Sequence, residues 1–200
     1  AGCHTELTIE RSNGVIDPAS TPLTRRAQGA ISCEFCHKIS DVYLDSDTGM
    51  PYPDMPGILS LRLHRPRTEK QDVTFGTMID VQRQDSYLPL LSESEFCAGC
   101  HFGVFGGVVG MERVADGTII YNSYGEWLDS PYSVPETGAS CQDCHMPLSN
   151  EDWFVFPERG GIERDYQPLH NHTMPGASDS NLLQNSVTME TTATRNGDQL

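Results

Sequence analysis

Basic charge is scarce in this chain. Thirteen lysines and arginines stand against 28 aspartates and glutamates in 200 residues, a formal charge of −15. Such a surface repels phosphate, so nucleic acid and anionic membrane faces are excluded as electrostatic partners, while basic proteins would be steered toward it. No run of apolar residues reaches membrane-spanning length, and no signal peptide opens the sequence. Apolar filling is thin as well: 37% of residues are hydrophobic, with 18 glycines and 13 prolines among the rest. A polypeptide with so little core-forming material needs something other than its own side chains to fill the interior.

What the chain has instead is cysteine and histidine, seven of each. Six cysteines form three pairs with two residues between partners, and a histidine follows every pair at once: "CEFCH" (Cys33, Cys36, His37), "CAGCH" (Cys97, Cys100, His101) and "CQDCH" (Cys141, Cys144, His145). Zinc ribbons, redox-active disulfides and structural disulfides all use paired cysteines. A zinc ribbon leaves the third pair unmatched, and none of the three explains a histidine directly after each pair. Cys-x-x-Cys-His is the attachment signature of c-type haem. Two thiols one helical turn apart add to the two vinyl groups of a porphyrin edge, and the adjacent histidine binds the iron axially. The motifs begin at 33, 97 and 141, spaced 64 and 44 residues apart, so no repeat period runs through the fold.

The seventh cysteine extends the series. "AGCH" at Ala1–His4 repeats the last four residues of "CAGCH", so Cys3 and His4 read as the end of a fourth site whose first cysteine precedes the chain. A lipoprotein processing site also ends in Ala-Gly-Cys, but cleavage there would have removed Ala1 and Gly2. Four haems are expected, three with complete motifs. At the other end, "NSVTMETTATRNGDQL" alternates Val187, Met189, Thr191 and Ala193 before an Asn196-Gly197 turn signal, which predicts the start of a β segment over 181–200. Both termini are expected to be cut from a longer protein, with a multihaem domain over 1–180.

"YGEWLDSPY", "SCQDCHMP" and "LHNHTMPG", within residues 95–176, resemble the layout of periplasmic multihaem c-type cytochromes related to tetrahaem electron carriers and to the haem core of hydroxylamine oxidoreductase. The resemblance implies a mostly irregular fold with short α-helices and a few short β-hairpins, organised around packed haems. It also implies export, hence a periplasmic or extracellular location.

Each iron needs a ligand on both faces. With His4, His37, His101 and His145 proximal, His64, His170 and His172 are the remaining histidines, three candidates for four distal positions. The fourth is a methionine, a histidine outside the chain, or nothing, which would leave an open iron. Met50, Met55, Met78, Met111, Met146, Met174 and Met189 carry no distinguishing signature, and Met146 directly follows a proximal histidine. Two residues apart in "HNH", His170 and His172 would point to opposite sides of an extended segment.

Local signals place the motifs on short elements. Ser92–Glu95 and Ser123–Glu126 are capping boxes and predict helix starts. "DVTFG" (Asp72–Gly76) reads as a strand, and Asp116-Gly117 between apolar flanks reads as a hairpin turn. Trp127, Trp153, Phe154, Phe156, Tyr121, Tyr124 and Tyr166 read as packing. "DSDTG" holds Asp45 and Asp47 as a fragment of a calcium loop without its distant glutamate, more simply an Asp-stabilised turn.

The expected function is electron transfer along a chain of haems, with other redox proteins as donor and acceptor. The alternatives are a haem enzyme of the nitrite or hydroxylamine class with one open iron, although no motif replaces its histidine with lysine, and a subunit of an extracellular cytochrome filament built from copies of the chain. The intact mass of the exported protein should exceed the polypeptide mass by one haem for each complete motif; bare polypeptide, or polypeptide plus zinc, would remove the reading.

Overall fold

In the computed structural model the described residues are 32–52, 54–55, 57–79, 84–105, 108–109, 112–113, 118–149, 156–160, 168–186, 188–194 and 197. The architecture is mixed and largely irregular. Its helices are short: α1 (Cys33–Cys36), α2 (Glu95–His101), α3 (Ser123–Leu128), α4 (Cys141–His145) and α5 (Ser180–Ser186). The strands pair antiparallel in twos: β1 (Ile39–Val42) with β2 (Leu61–Leu63), β3 (Gly103–Phe105) with β6 (Thr118–Tyr121), and β4 (Val108–Val109) with β5 (Glu112–Arg113). Among the described residues no helix is long and apolar enough to cross a membrane. The chain divides into two compact units, Ala1–Gln142 and Asp143–Leu200, and the division falls inside the third motif.

The core of the first unit gathers Phe35, Ile39, Val42, Leu61, Ala98 and Tyr124, with Cys36, Cys100 and Trp127 packed against it. Ile39 and Val42 are three apart, an odd spacing that would send them to opposite faces of a regular strand. A register shift between Ile39 and Asp41 resets the pleat, so both side chains turn inward. Tyr124 is 2% exposed, donates its hydroxyl to the Gly49 carbonyl at 3.2 Å and stacks on Trp127 at 5.7 Å between ring centroids.

The second unit has no buried apolar side chain among its described residues. Its order comes from hydrogen bonds. Ser149 N donates to Leu169 O at 2.7 Å and Asn171 N to Pro147 O at 2.9 Å, a short antiparallel bridge around Leu148 and His170. Asp179 opens α5 by accepting from Leu182 N at 2.7 Å.

Several local expectations differ from what forms. Helix α2 starts at Glu95 behind Ser94, and no side chain caps it, because Pro89–Ser92 forms a separate 3₁₀ turn. Helix α3 likewise begins at Ser123 without a side-chain cap and ends at Leu128, before Pro131. Asp72–Phe75 is not a strand; its backbone groups serve side chains of the first motif instead. Thr118–Tyr121 pairs with Gly103–Phe105, while Glu112–Arg113 pairs with Val108–Val109, so the apolar flanks of Asp116-Gly117 are not each other's partners. The Asp116-Gly117 turn, Trp153, Phe154, Tyr166 and Met111 lie outside the described residues, and Phe156 is 54% exposed rather than packed. No β segment forms over the described residues after 180: α5 occupies Ser180–Ser186 and residues 188–194 are irregular. The seven residues before the alternation follow the Asp179 cap into a helix.

Gly99, in the middle of "CAGCH", is closely packed: a Cβ there would meet the side chains of Leu61 at 2.5 Å (Cδ2) and Ser60 at 2.7 Å (Oγ). Alanine gains roughly 1 kcal/mol in helix propensity over glycine. Overpacking a filled site costs about 1–3 kcal/mol. Gly99→Ala should therefore lower stability on balance, measured as a fall in the chemical denaturation midpoint at unchanged slope.

Candidate haem attachment sites

The three described motifs sit on α1, α2 and α4, so in each the two cysteines lie three residues apart, about one turn, and the histidine closes the helix or follows it. All six cysteines are thiols; Cys33 and Cys144 are exposed and the other four half-buried. At least one residue between the cysteines of each pair is buried, while Glu34 and Asp143 are exposed. Phe35 is 3% exposed, Ala98 0% and Gln142 1%. The Gln142 side-chain amide donates to Leu91 O at 3.0 Å and Glu93 O at 2.8 Å. This anchoring leaves Cys33 and Cys144 exposed, while Cys36 and Cys100 pack against the core.

The second and third motifs meet at Ser94, which is 2% exposed. Its carbonyl accepts from Cys97 N at 2.9 Å and its hydroxyl oxygen from Cys141 N at 2.9 Å. The two first cysteines are thereby neighbours. A hydrogen bond with Cys141 pushes the Cys97 thiol far above its ordinary range, with burial adding to the effect and Cys141, Cys36 and Glu95 nearby. Burial likewise pushes the Tyr124 hydroxyl up to about 12, with Glu95, Cys141 and Cys97 contributing. Thiols from three motifs thus share one neighbourhood.

The histidines are oriented through Nδ1. His37 Nδ1 lies 2.6 Å from Phe75 O, and His145 Nδ1 lies 2.8 Å from Pro175 O. His170 Nδ1 lies 2.5 Å from Met146 O. A carbonyl oxygen only accepts, so Nδ1 is the donor in each of these three contacts. The Pro175 carbonyl is held by a strained neighbour: Met174 has φ of 48°, in the left-handed region that non-glycine residues avoid. His64 is placed differently. Its Nε2 lies 3.0 Å from Gln71 O, and its ring meets Phe75 edge-on at 5.5 Å between centroids. His101 and His172 are exposed, and Cys3 and His4 lie outside the described residues.

The donor set fits haem. Paired thiols one turn apart, followed in the first and third motifs by an imidazole whose Nδ1 meets a carbonyl, match what covalent attachment and axial ligation require. Elsewhere, "DSDTG" is a turn: Asp45 Oδ1 accepts from Asp47 N at 2.9 Å, Thr48 N at 2.9 Å and Thr48 Oγ1 at 3.2 Å. Those backbone bonds hold its carboxyl below the usual range. Among the described residues no group of three or more His, Cys, Asp or Glu side chains forms a compact metal cluster. Comparison with protein-family models, curated proteins and solved structures finds no match.

Sequence reasoning missed Ser94, Gln142, Phe75 and Lys38. Gln142 and Lys38 carried a faint signal, a polar residue inside or directly after a motif. Phe75 carried none, since it acts through its backbone, and the Ser94 hydroxyl gave no sign of its partner, which is 47 residues away. Ser94→Ala removes the acceptor for Cys141 N and should cost about 1–3 kcal/mol, the range for a buried donor left unsatisfied. Ser94→Thr, which keeps the hydroxyl, should recover most of that loss in the same denaturation measurement.

Proposed function

We propose that this protein carries electrons through covalently bound c-type haems, attached at Cys33/Cys36, Cys97/Cys100 and Cys141/Cys144, with His37, His101 and His145 as proximal ligands and a further site at Cys3 and His4. The observation that carries the reading is that His37 and His145, each directly after a cysteine pair, both turn Nδ1 to a backbone carbonyl. Bound there, haem iron supplies one-electron exchange between its ferric and ferrous states. The polypeptide's part is to orient the imidazoles, exclude water and hold the attachment points close.

Two further observations support it. Tyr87, Ile119, Ile120, Tyr121, Tyr132 and Leu183 are among the large apolar side chains more than a third exposed, surface that porphyrin faces would cover. The contact between Cys97 and Cys141 brings two attachment points together, and closely spaced haems are what electron transfer along a chain needs. His170 is the distal candidate prepared for ligation, since its Nε2 is the nitrogen left over. His172 and His64 are the other distal candidates, and His64 Nε2 would first have to give up the Gln71 carbonyl. An acidic carrier of this kind belongs outside the cytoplasmic membrane, exchanging electrons with basic redox proteins or with copies of itself.

Electron paramagnetic resonance of the oxidised, exported protein tests the assignment. Low-spin ferric signals throughout are expected for irons ligated on both faces. A high-spin ferric signal would mark an open iron and favour an enzyme of the nitrite or hydroxylamine class, and absence of any haem signal would end the proposal.

A further inference from the structure

Lys38 directly follows the first proximal histidine, and it is buried. Its side chain is 5% exposed, and the ammonium donates to Asp72 Oδ1 at 2.6 Å, Val73 O at 2.8 Å and Thr74 Oγ1 at 3.5 Å. Those acceptors are consecutive, and the next residue is Phe75, whose carbonyl takes the His37 Nδ1–H. Phe75 N donates back to His37 O at 2.9 Å, so His37 and Phe75 clasp each other through two bonds. From the other side His64 joins in: its backbone N donates to Lys38 O at 2.7 Å and its Nε2 lies 3.0 Å from Gln71 O. Gln71 ends a 3₁₀ turn over Glu69–Gln71, and Asp72–Phe75 beyond it has no helix or strand of its own to fix it. Its position follows from these side chains.

We infer that Lys38 and Asp72 are positioning residues for the first haem's proximal ligand, strapping the 71–75 segment so that the Phe75 carbonyl stays on His37 Nδ1, and that His64 braces the same segment. The inference rests on the electron-transfer reading above. Its chemistry is a second-sphere effect: a firm Nδ1–H···O=C bond makes the imidazole more basic, which favours ferric over ferrous iron and lowers the potential of that one haem. Burying an ammonium costs several kcal/mol unless it is paired and fully hydrogen-bonded. Here it is both. The Lys38 hydrogen bond in turn holds the Asp72 carboxyl below its usual range.

The test is a spectroelectrochemical titration of the exported holoprotein beside Lys38→Met and Asp72→Asn. Loosening the strap should move one couple upward in both variants, more in Lys38→Met, and alter one low-spin resonance signal while the others stay. Lys38→Arg, which can still reach Asp72, should fall between. Asp72 is half-exposed, so Asp72→Asn keeps the experiment decisive if Lys38→Met does not fold. Couples that all stay put, or that all move together, overturn the inference. Peptide mass of the unsubstituted protein separates this from the parent reading: no haem on the Cys33–Cys36 peptide overturns the haem assignment itself, whereas haem present with an unmoved couple overturns only the strap.

Discussion

The motif helices are too short to stand alone. Four, seven and five residues long, they make too few backbone bonds to offset the cost of nucleating a helix. Each is therefore held by what lies between its cysteines. Phe35 enters the apolar core, Ala98 and Gly99 press against Ser60 and Leu61, and Gln142 hangs from the carbonyls of Leu91 and Glu93. The consequence is directional. Once the intervening residues point inward, the cysteines flanking them cannot be fully buried, and the histidine after them is carried to the helix end. Ser94 then ties two of these helices to one residue, with its carbonyl on one and its hydroxyl on the other.

Orientation of the imidazoles is a separate problem, and loops solve it. His37 reaches a carbonyl 38 residues away, His145 one 30 residues away and His170 one 24 residues away. A helix or strand would spend those carbonyls on its own ladder. Irregular backbone leaves them available, which gives the low content of regular structure a positive role. The left-handed Met174 belongs to the same logic, a local backbone cost accepted just before the carbonyl that meets His145.

What the sequence disclosed follows this division. The spacing of cysteines and the histidine after each pair are local, so "CEFCH", "CAGCH" and "CQDCH" were legible letter by letter, as was the scarcity of apolar filling and the short, irregular character of the fold. The Asp45 turn was legible for the same reason, being closed within three residues. "DVTFG" was misread as a strand because β-propensity describes a residue's preference and not its partner. Val73 is buried there, yet the backbone around it bonds to side chains. The hairpin at Asp116-Gly117 went astray similarly, since pairing register is decided by distant strands. His64 was counted among the distal candidates as a histidine far from any motif, and the contact of its Nε2 with the Gln71 carbonyl is legible only in the fold.

Lys38 shows how far the chain's composition constrains its design. Only two lysines occur, Lys38 and Lys70, in a protein of formal charge −15. The cheapest place for a cation in such a chain is the surface, where any of many carboxylates would accept it. Lys38 is buried instead, and the partner it meets is half-exposed, so the pair forgoes much of the solvation the ammonium would have kept. A pair in that position contributes little to stability compared with an apolar side chain of similar size. What it contributes is direction, because three donors on one ammonium fix three consecutive residues at once, and the residue after them is the one His37 needs.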